Sequence, residues 1–344
     1  MRDRRENWSR RKFVSALTLA GTTGFLGVRP EPATAEPPPE TTTLKVAHTP
    51  AICEAPAVVA EALLRSEGFS DVQYVEVGGG ETFVRTLEFY ASGDVDIGMV
   101  FVAPLIIQVD NLKPVVLLGG VHIGCLELFA SGRLRSIAEL KGKAVGRSGS
   151  APDNFQYVLL APMMAYVGLD PRRDVTWVIR PVPEQMRLLA DGKIDAFLAY
   201  PPLAQELRAR KIGHVLVNTG TDRPWSQYFC CMVTGNREFV RKHPVATKRA
   251  LRAILKATQV CALEPERTAR ALVYSGYTGQ YDYALQTLKE IPYGRWREYD
   301  PEDSVRFYAL RLHEAGMIKS SPQKIIADGT DWRFLRELKR ELKG

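Results

Sequence analysis

One short pattern occurs twice in this chain: a helix ends at a glycine, an aspartate follows, and a buried strand begins. The first copy, in residues 86–98, contains Ser92-Gly93-Asp94-Val95-Asp96, and the second, in residues 186–198, contains Asp191-Gly192-Lys193-Ile194-Asp195. In both copies the glycine stands where glycine commonly ends a helix. Because strand–helix units assemble into sheets covered by helices, two such copies predict two similar α/β lobes with a cleft between them.

Apolar spacing predicts the elements of the first lobe. Alternation of apolar and polar residues predicts a strand at 44–48, and helical spacing predicts a helix at 55–66. The same reasoning predicts a strand at 72–77, a helix at 81–92 and a strand at 96–100. This alternation of strands and helices indicates a parallel sheet. Ligands of such sheets bind at the carboxyl ends of the strands.

The apolar run at 115–129 is longer than an ordinary strand and is interrupted by glycines, which suits a segment that crosses between the lobes. Strands and helices then alternate again, at 144–146, 153–167, 175–179, 183–190 and 195–200. A strand at 229–233 is predicted to return the chain to the first lobe. We expect the remaining helices to pack on that lobe, at 239–261, 266–274, 283–291, 301–315 and 332–342.

The N-terminus has the pattern of a secretory signal. Ser9-Arg10-Arg11-Lys12-Phe13-Val14 leads into an apolar run at 13–26, which is too short to span a bilayer of ~30 Å as a helix. Ala33-Thr34-Ala35 then supplies a signal-peptidase site. We expect residues 1–35 to be a twin-arginine signal peptide cleaved near Ala35, and the protein to be periplasmic.

Composition limits the classes of partner. The first 35 residues carry seven Lys or Arg and three Asp or Glu, which leaves 39 basic and 36 acidic residues after cleavage. This mixed surface lacks the excess of positive charge that nucleic-acid binding requires, so no nucleic-acid partner is expected. After the signal, no segment is long and apolar enough to predict a transmembrane helix.

Sequence motifs for catalysis, cofactors and metals are missing. Gly146-Arg147-Ser148-Gly149-Ser150 lacks the last glycine of a nucleophile elbow, and no phosphate-binding loop or metalloprotease motif occurs. The five histidines have no metal-ligand spacing. The five cysteines are irregularly spaced, and we expect buried free thiols rather than disulfides. We therefore expect no enzyme activity, no cofactor and no metal.

Several segments resemble one known family. They are Ser92 to Gly98, Ser136 to Gly146, Gly168 to Pro171, Leu189 to Phe197 and Asn236 to Pro244. In this order they are similar to the periplasmic substrate-binding proteins of ABC importers. Within these, the chain resembles the nitrate/sulfonate/taurine group, which shares a domain with thiamine-pyrimidine synthase. The resemblance spans residues 44–265.

The resemblance implies a type II periplasmic binding protein fold: two α/β lobes, a ligand cleft, hinge strands and C-terminal helices. After a proline-rich linker at 36–43, residues 44–123 are expected to begin lobe one and residues 124–228 to form lobe two. Residues 229–344 are expected to return to lobe one and add the C-terminal helices. The implied partners are a small-molecule ligand, ABC permease and ATPase subunits and the twin-arginine export machinery, with the protein itself a monomer.

The expected ligand contacts lie in loops at the strand ends, following the geometry of this fold. They are His48, Thr49, Ile52, Phe101, Val102 and Ala103 in lobe one, Ser148, Ser150, Asp153 and Tyr200 in lobe two, and His122 and Tyr228 near the crossings. The helix start after Ser148 could bind an anion. The alternative there is ordinary N-capping by Ser150 or Asp153. Tyr200 could stack on a planar ligand, or only close a strand.

The ligand class and the role stay open at this point. A sulfonate, nitrate or carboxylate suits the helix start, whereas a pyrimidine-like solute suits the aromatic residues. One alternative to an importer component is an enzyme like thiamine-pyrimidine synthase, which uses a histidine, pyridoxal phosphate, iron and a cysteine-rich segment. This chain has Cys230-Cys231 but not the longer cysteine run. The other alternative is a ligand receptor for a sensor kinase.

Overall fold

Two five-stranded sheets form the framework of residues 38–344. The computed structural model describes residues 36–49, 51–77, 83–132, 134–150 and 154–342. The expected signal peptide and Asp153 lie outside these described residues. Within the described ranges, no helix is both long and apolar enough to cross a membrane.

The first sheet combines four strands from the start of the chain with one from much later. They are β1 (Thr43–His48), β2 (Asp71–Glu76), β3 (Ile97–Phe101), β4 (Val115–Ile123) and β10 (Phe229–Asn236). Their order across the sheet is β2-β1-β3-β10-β4. Strand β1 runs parallel to β2 and β3, whereas β10 is antiparallel to β3 and β4. Every residue of β3, β4 and β10 is buried, as expected for strands covered on both faces.

The second sheet repeats this layout. Its strands are β5 (Glu127–Ala130), β6 (Lys143–Arg147), β7 (Val175–Ile179), β8 (Ala196–Ala199) and β9 (His214–Asn218). Their order is β7-β6-β8-β5-β9. Strand β6 is parallel to β7 and β8, and β5 is antiparallel to β8 and β9. Each sheet therefore contains one antiparallel strand, β10 or β5, that follows a connection from the other sheet.

The repeated aspartate has the same structural role in both sheets. The Asp96 carboxylate accepts a hydrogen bond from the backbone N–H of Lys45 at 2.8 Å, and the Asp195 carboxylate accepts one from that of Ala144 at 2.8 Å. The preceding glycines, Gly93 and Gly192, have φ of +82° and +67°, the left-handed conformation that ends a helix. The pattern repeats in the sequence because it ties the start of β3 to β1 and the start of β8 to β6.

Helices connect the strands and form the C-terminal part of the chain. Those between strands are α1 (Ala55–Val58), α2 (Glu61–Ser66), α3 (Phe83–Ser92), α4 (Val102–Asp110), α5 (Phe155–Tyr166), α6 (Val182–Ala190) and α7 (Leu203–Ala209). The later ones are α8 (Arg237–Lys242), α9 (Pro244–Leu263), α10 (Pro265–Tyr274), α11 (Tyr281–Glu290), α12 (Pro301–Glu314), α13 (Pro322–Gly329) and α14 (Arg333–Glu341). Short 3-10 turns occur at Ile52–Glu54, Ile137–Leu140, Trp225–Gln227 and Tyr293–Arg295.

The structure corrects several predicted elements. The crossing segment 115–129 is two strands in different sheets, separated at Gly124, whose φ is +39°. The helix predicted at 239–261 breaks at His243 because Pro244 starts a new helix and disfavours a helical residue before it. The helix predicted at 55–66 is likewise two helices. Sequence spacing missed α4, α7, α13 and β9.

The C-terminal helices pack more widely than expected. Helix α12 contacts α4, which follows β3 of the first sheet, and also α5, which follows β6 of the second sheet. Helix α14 packs on α9 and β4. The expectation that these helices pack on the first lobe alone was therefore wrong for α12.

Candidate functional site

Four metal-ligand side chains converge where the chain passes between the two sheets. Cys53 lies in the turn after β1, His122 near the end of β4, Cys125 between β4 and β5, and Cys231 in β10. Their candidate ligand atoms all lie within 4.8 Å of one another. We call these four residues the Cys–His cluster.

Strand pairing explains the convergence. Strand β10 lies between β3 and β4, and its Cys231 is in register with Phe101 on one side and His122 on the other. The turn that carries Cys53 follows β1, which pairs with β3. The cluster thus lies at the strand ends where ligands of open α/β sheets bind.

His122 is buried, with 1% of its surface exposed. Its Nδ1 lies 3.2 Å from the backbone oxygen of Ile123, whereas Nε2 is buried without a hydrogen-bond partner of ordinary geometry. The ring meets the edge of Tyr293 at a centroid distance of 5.3 Å. The contact with Ile123 fixes the ring and leaves Nε2 available to a ligand.

All five cysteines are free, as the sequence analysis expected. Cys125 is half-buried and the other four are buried. The Cys125 Sγ lies 3.1 Å from the Sγ of Cys230, the residue before Cys231. Cys261, in α9, is outside the Cys–His cluster.

The cluster perturbs its own thiols. Contacts with Cys125 and Cys231 hold the pKa of Cys53 well below its ordinary value, and His122 adds to this although burial opposes it. Burial also opposes ionisation of Cys230, but its contacts with Cys125 and Cys231 lower its pKa to about 5. Burial instead raises the pKa values of Cys125 and Cys231 well above the ordinary value. Only Cys53 and Cys230 are therefore shifted toward the thiolate, the form that acts as nucleophile and metal ligand.

A buried carboxyl adjoins the cluster. Glu54 is 1% exposed, and Thr49 Oγ1 donates to its Oε2 at 2.6 Å. Its Oε1 is buried without a partner. Burial, followed by the nearby Cys53, raises the pKa of Glu54 well above its ordinary value. The neutral acid is therefore the favoured form in this environment.

Tyrosines from the C-terminal region hold the turn that carries Cys53. The Tyr277 hydroxyl donates to the carbonyl oxygens of Thr49 and Ala51. The Tyr293 hydroxyl lies 3.2 Å from the oxygen of Ile52 and 3.1 Å from that of Cys53. No role was predicted for this region from the sequence, and its tyrosines hold the turn at residues 49–53 in place.

Tyr200 follows β8 of the second sheet and approaches the cluster from there. Its ring packs edge-on against Phe155 at 5.1 Å between centroids. Burial, followed by Cys53 and Glu54, raises the pKa of Tyr200 to about 12. Thr49, Ile52, His122 and Tyr200 are thus predicted site residues that the structure places on or beside the cluster.

The predicted first-lobe positions at the end of β3 are not in a loop. Phe101 ends the strand and caps α4, and Val102 and Ala103 form its first turn. Pro104 is tolerated there because the first turn needs no intrahelical N–H donor. All three predicted residues are buried.

Ser148 and Ser150 make contacts within their own loop. The buried Ser148 Oγ accepts a hydrogen bond from Asn154 Nδ2 at 3.0 Å. The carbonyl oxygen of the exposed Ser150 accepts one from Arg147 Nη2 at 3.1 Å. The predicted cap was wrong at Ser150, because Asn154 caps α5 by accepting from the N–H of Tyr157 at 3.3 Å.

His48 and Tyr228 lie in other surroundings. His48 lines a groove of about 720 Å³ with Tyr74 and Tyr277, and its ring is 6.2 Å and 5.9 Å from theirs. Burial lowers the pKa of His48. Tyr228 stacks on Phe307 of α12, with 3.9 Å between centroids and 11° between planes. It packs against protein here rather than presenting both ring faces to a ligand.

Residues 37–274 of this chain match the NMT1-like family. The chain belongs to that family. Its relatives include the bicarbonate-binding protein CmpA of Synechococcus elongatus, 26% identical over 139 residues that cover 40% of this chain and 30% of CmpA. The nitrate/nitrite binding protein NrtA of the same species is 23% identical over 186 residues, or 52% of this chain and 41% of NrtA. The match thus spans less than half the length of these curated relatives.

Solved structures show the same fold at low identity. The periplasmic nitrate-binding protein NrtA from Synechocystis has a TM-score of 0.72 and 16% identity, covering 89% of this chain and 90% of that one. The alkanesulfonate-binding protein SsuA from Xanthomonas axonopodis, bound to MOPS, has a TM-score of 0.65 and 16% identity, covering 85% and 99%. The periplasmic binding protein fold and the family resemblance expected from the sequence are confirmed.

Five residues of the site were not among those predicted from the sequence: Cys53, Glu54, Cys125, Cys231 and Tyr293. The cysteines have no regular spacing in the sequence, and the fold brings them together from separate strand ends. A usable signal existed for Cys53, which adjoins the predicted contact Ile52, and for Cys125, which follows the crossing glycine Gly124.

Proposed function

We propose that this NMT1-like protein is the extracytoplasmic solute-binding component of an ABC importer. In this role it captures a small solute between its lobes and delivers it to permease and ATPase subunits. The observation that carries the proposal is the approach of Tyr200, which follows β8 of the second sheet, to Cys53 and Glu54 of the turn after β1. The binding functions in the names of CmpA and NrtA support it. Binding here serves closure and delivery, and no chemical step is involved.

The proposed lobes are residues 44–123 with 229–344, and residues 124–228. The connections between β4 and β5 and between β9 and β10 would serve as hinges, because they are the passages between the two sheets. Hinge closure would bring Tyr200 against a solute held beside Cys53. Ligand binding would shift the population toward this closed state.

We further propose that residues 1–35 direct export by the twin-arginine machinery and are cleaved near Ala35, which places the mature protein in the periplasm as a monomer. The twin arginines, the short apolar run and the small-residue cleavage pattern support this. N-terminal sequencing of the exported protein tests it, with a new terminus at Glu36 as the expected result. Replacing both arginines by lysine, Arg10→Lys together with Arg11→Lys, should block export.

The side chains around the cluster bear on the ligand class. The lowered pKa values of Cys53 and Cys230 favour negative charge there, whereas burial opposes charge on His122 but its contacts with these two thiols raise its pKa and favour positive charge. These opposite charges give no preference between an oxyanion and a neutral solute. A neutral, planar, pyrimidine-like solute is favoured because Tyr200 offers an aromatic face and Glu54 a protonated acid.

A solute panel tests the function. The full chain is heated with nitrate, an alkanesulfonate, a carboxylate or a pyrimidine, and small-angle scattering follows compaction. A solute at about 100 times its Kd should stabilise the protein by about 2.7 kcal/mol and reduce its radius of gyration. The proposal fails if no solute of any class produces compaction.

Matched tyrosine variants locate the solute. For the solute that binds, Tyr200→Ala should weaken affinity by about 2- to 10-fold, the range expected for loss of one aromatic contact. Tyr274→Ala is the control, because this tyrosine is 96% exposed. Equal effects of the two substitutions would place the solute elsewhere.

A further inference from the structure

The donor atoms of the Cys–His cluster are close enough to share one metal ion. In a tetrahedral site with Zn–S bonds of about 2.3 Å, neighbouring ligand atoms are about 3.8 Å apart. The four candidate atoms already lie within 4.8 Å of one another. Small side-chain adjustments would therefore bring all four to bonding distance, with no change in strand pairing.

We propose that Cys53, His122, Cys125 and Cys231 bind a thiophilic metal ion, with Zn²⁺ as the ion that their geometry matches. Three sulfurs and one imidazole nitrogen form a donor set typical of zinc and unsuited to Mg²⁺ or Ca²⁺. This inference is independent of the proposed role in import, because it depends on four side chains and not on the identity of the transported solute.

His122 gives independent support for a ligand. Its Nε2 is buried without a hydrogen-bond partner of ordinary geometry, although a buried polar atom normally has one. Its Nδ1 lies 3.2 Å from the carbonyl oxygen of Ile123. Metal-binding histidines usually have such a partner on the second ring nitrogen, because it sets the tautomer that leaves the first nitrogen free. A metal ion at Nε2 would satisfy the unpaired atom.

The neighbourhood suits a thiolate-bound ion. Cys53 and Cys231 are buried and no disulfide uses any of the thiols. The Sγ of Cys230 lies 3.1 Å from the Sγ of Cys125, so a fourth sulfur adjoins the proposed ligands. On binding, each ligand thiol releases its proton to solvent and the sulfur donates an electron pair to the metal, with no redox change.

Cobalt spectroscopy tests the site. The full chain, purified with reductant and stripped by a chelator, is titrated with Co²⁺ and then with Zn²⁺. We expect one equivalent of Co²⁺ to produce the strong visible bands of tetrahedral cobalt and a near-ultraviolet thiolate-to-cobalt band, both abolished by Zn²⁺. Weak octahedral bands, or the lack of a thiolate band, would overturn the proposal.

Serine variants assign the ligands. Cys53→Ser and Cys231→Ser should each reduce Co²⁺ affinity by more than about 100-fold. This is a larger loss than the roughly 10- to 100-fold that is usual when the replaced residue contacts a metal ligand but not the metal. Cys261→Ser is the matched control, since Cys261 is a buried free thiol outside the cluster. An equal loss in Cys261→Ser would refute the assignment.

X-ray absorption of the zinc-loaded wild-type chain keeps the test decisive if a serine variant misfolds. The expected shell contains three sulfurs at about 2.3 Å and one nitrogen at about 2.0–2.1 Å. A shell of oxygen and nitrogen alone would show that zinc binds elsewhere. This measurement uses no variant and does not depend on transport.

Discussion

The hydroxyl of Tyr293 should stabilise the turn that carries Cys53, and the substitution Tyr293→Phe removes that hydroxyl alone. The ring, which packs against His122 at 5.3 Å, is retained. Two buried contacts are lost, to the carbonyl oxygens of Ile52 at 3.2 Å and Cys53 at 3.1 Å. A typical intramolecular hydrogen bond contributes about 0.5–1.5 kcal/mol net. Because the hydroxyl has a single proton to share between the two oxygens, we expect a loss of about 0.5–1.5 kcal/mol.

Tyr90→Phe is the matched control for this substitution. Both tyrosines are fully buried, at 0% exposure, but the Tyr90 hydroxyl has no hydrogen-bond partner. Removing an unpaired buried hydroxyl relieves a desolvation cost, so Tyr90→Phe should leave stability unchanged or raise it. The two substitutions delete the same atom, but only Tyr293→Phe should lower stability.

Urea unfolding of the full chain measures both effects. With an unchanged slope, the shift in midpoint gives the difference in free energy of unfolding directly. A loss of 1 kcal/mol or more in Tyr90→Phe, or none in Tyr293→Phe, would refute the assignment of these bonds. A loss in both would show that volume, rather than hydrogen bonding, sets the cost.

Two further predictions concern the same lobe. Burial raises the folded-state pKa of Glu54, so the contribution of this carboxyl to stability is present at low pH and is lost as the pH rises above the ordinary carboxyl pKa. Glu54→Gln, whose amide oxygen can still accept from Thr49, should therefore make the stability decline less with rising pH. Urea unfolding that gives the same pH profile for the variant and the wild type would contradict this. Gly98→Ala places a Cβ against the Tyr90 hydroxyl and 2.9 Å from the Cβ of Ala47, so it should destabilise the protein by about 1–3 kcal/mol. Thermal unfolding of the double variant with Tyr90→Phe should show that part of this stability is restored.

Much of the fold was predictable because local rules govern it. The strand at 175–179 was predicted with the bounds that the structure gives β7, since alternating side chains and turn residues mark it. The split of the crossing segment was not predictable from apolarity, because both halves are buried strands. Only pairing with different sheets separates them, and pairing is a long-range property.

The site was harder to predict than the fold. Tyr200 and His122 could be chosen because strand ends are visible in the sequence. The meeting of Cys53, Cys125 and Cys231 depends on β10 entering between β3 and β4, which no local pattern records. The support from Tyr277 and Tyr293 depends on where the C-terminal region packs, and the sequence carries no signal for that.

The repeat explains why the two lobes contribute unequal chemistry. The same sequence offset separates Asp96 from Asp195 and Lys45 from Ala144, whose hydrogen bonds correspond in the two sheets. By that offset Phe101 corresponds to Tyr200, so equivalent positions at the ends of β3 and β8 differ by one hydroxyl. Phe101 packs beside the cysteine strand, whereas Tyr200 brings a polar group to the cluster from the opposite lobe. The duplicated framework thus places Phe101 and Tyr200 at equivalent strand ends, and the difference between their side chains, rather than a change of fold, gives one sheet an apolar ring and the other a tyrosine hydroxyl at this position.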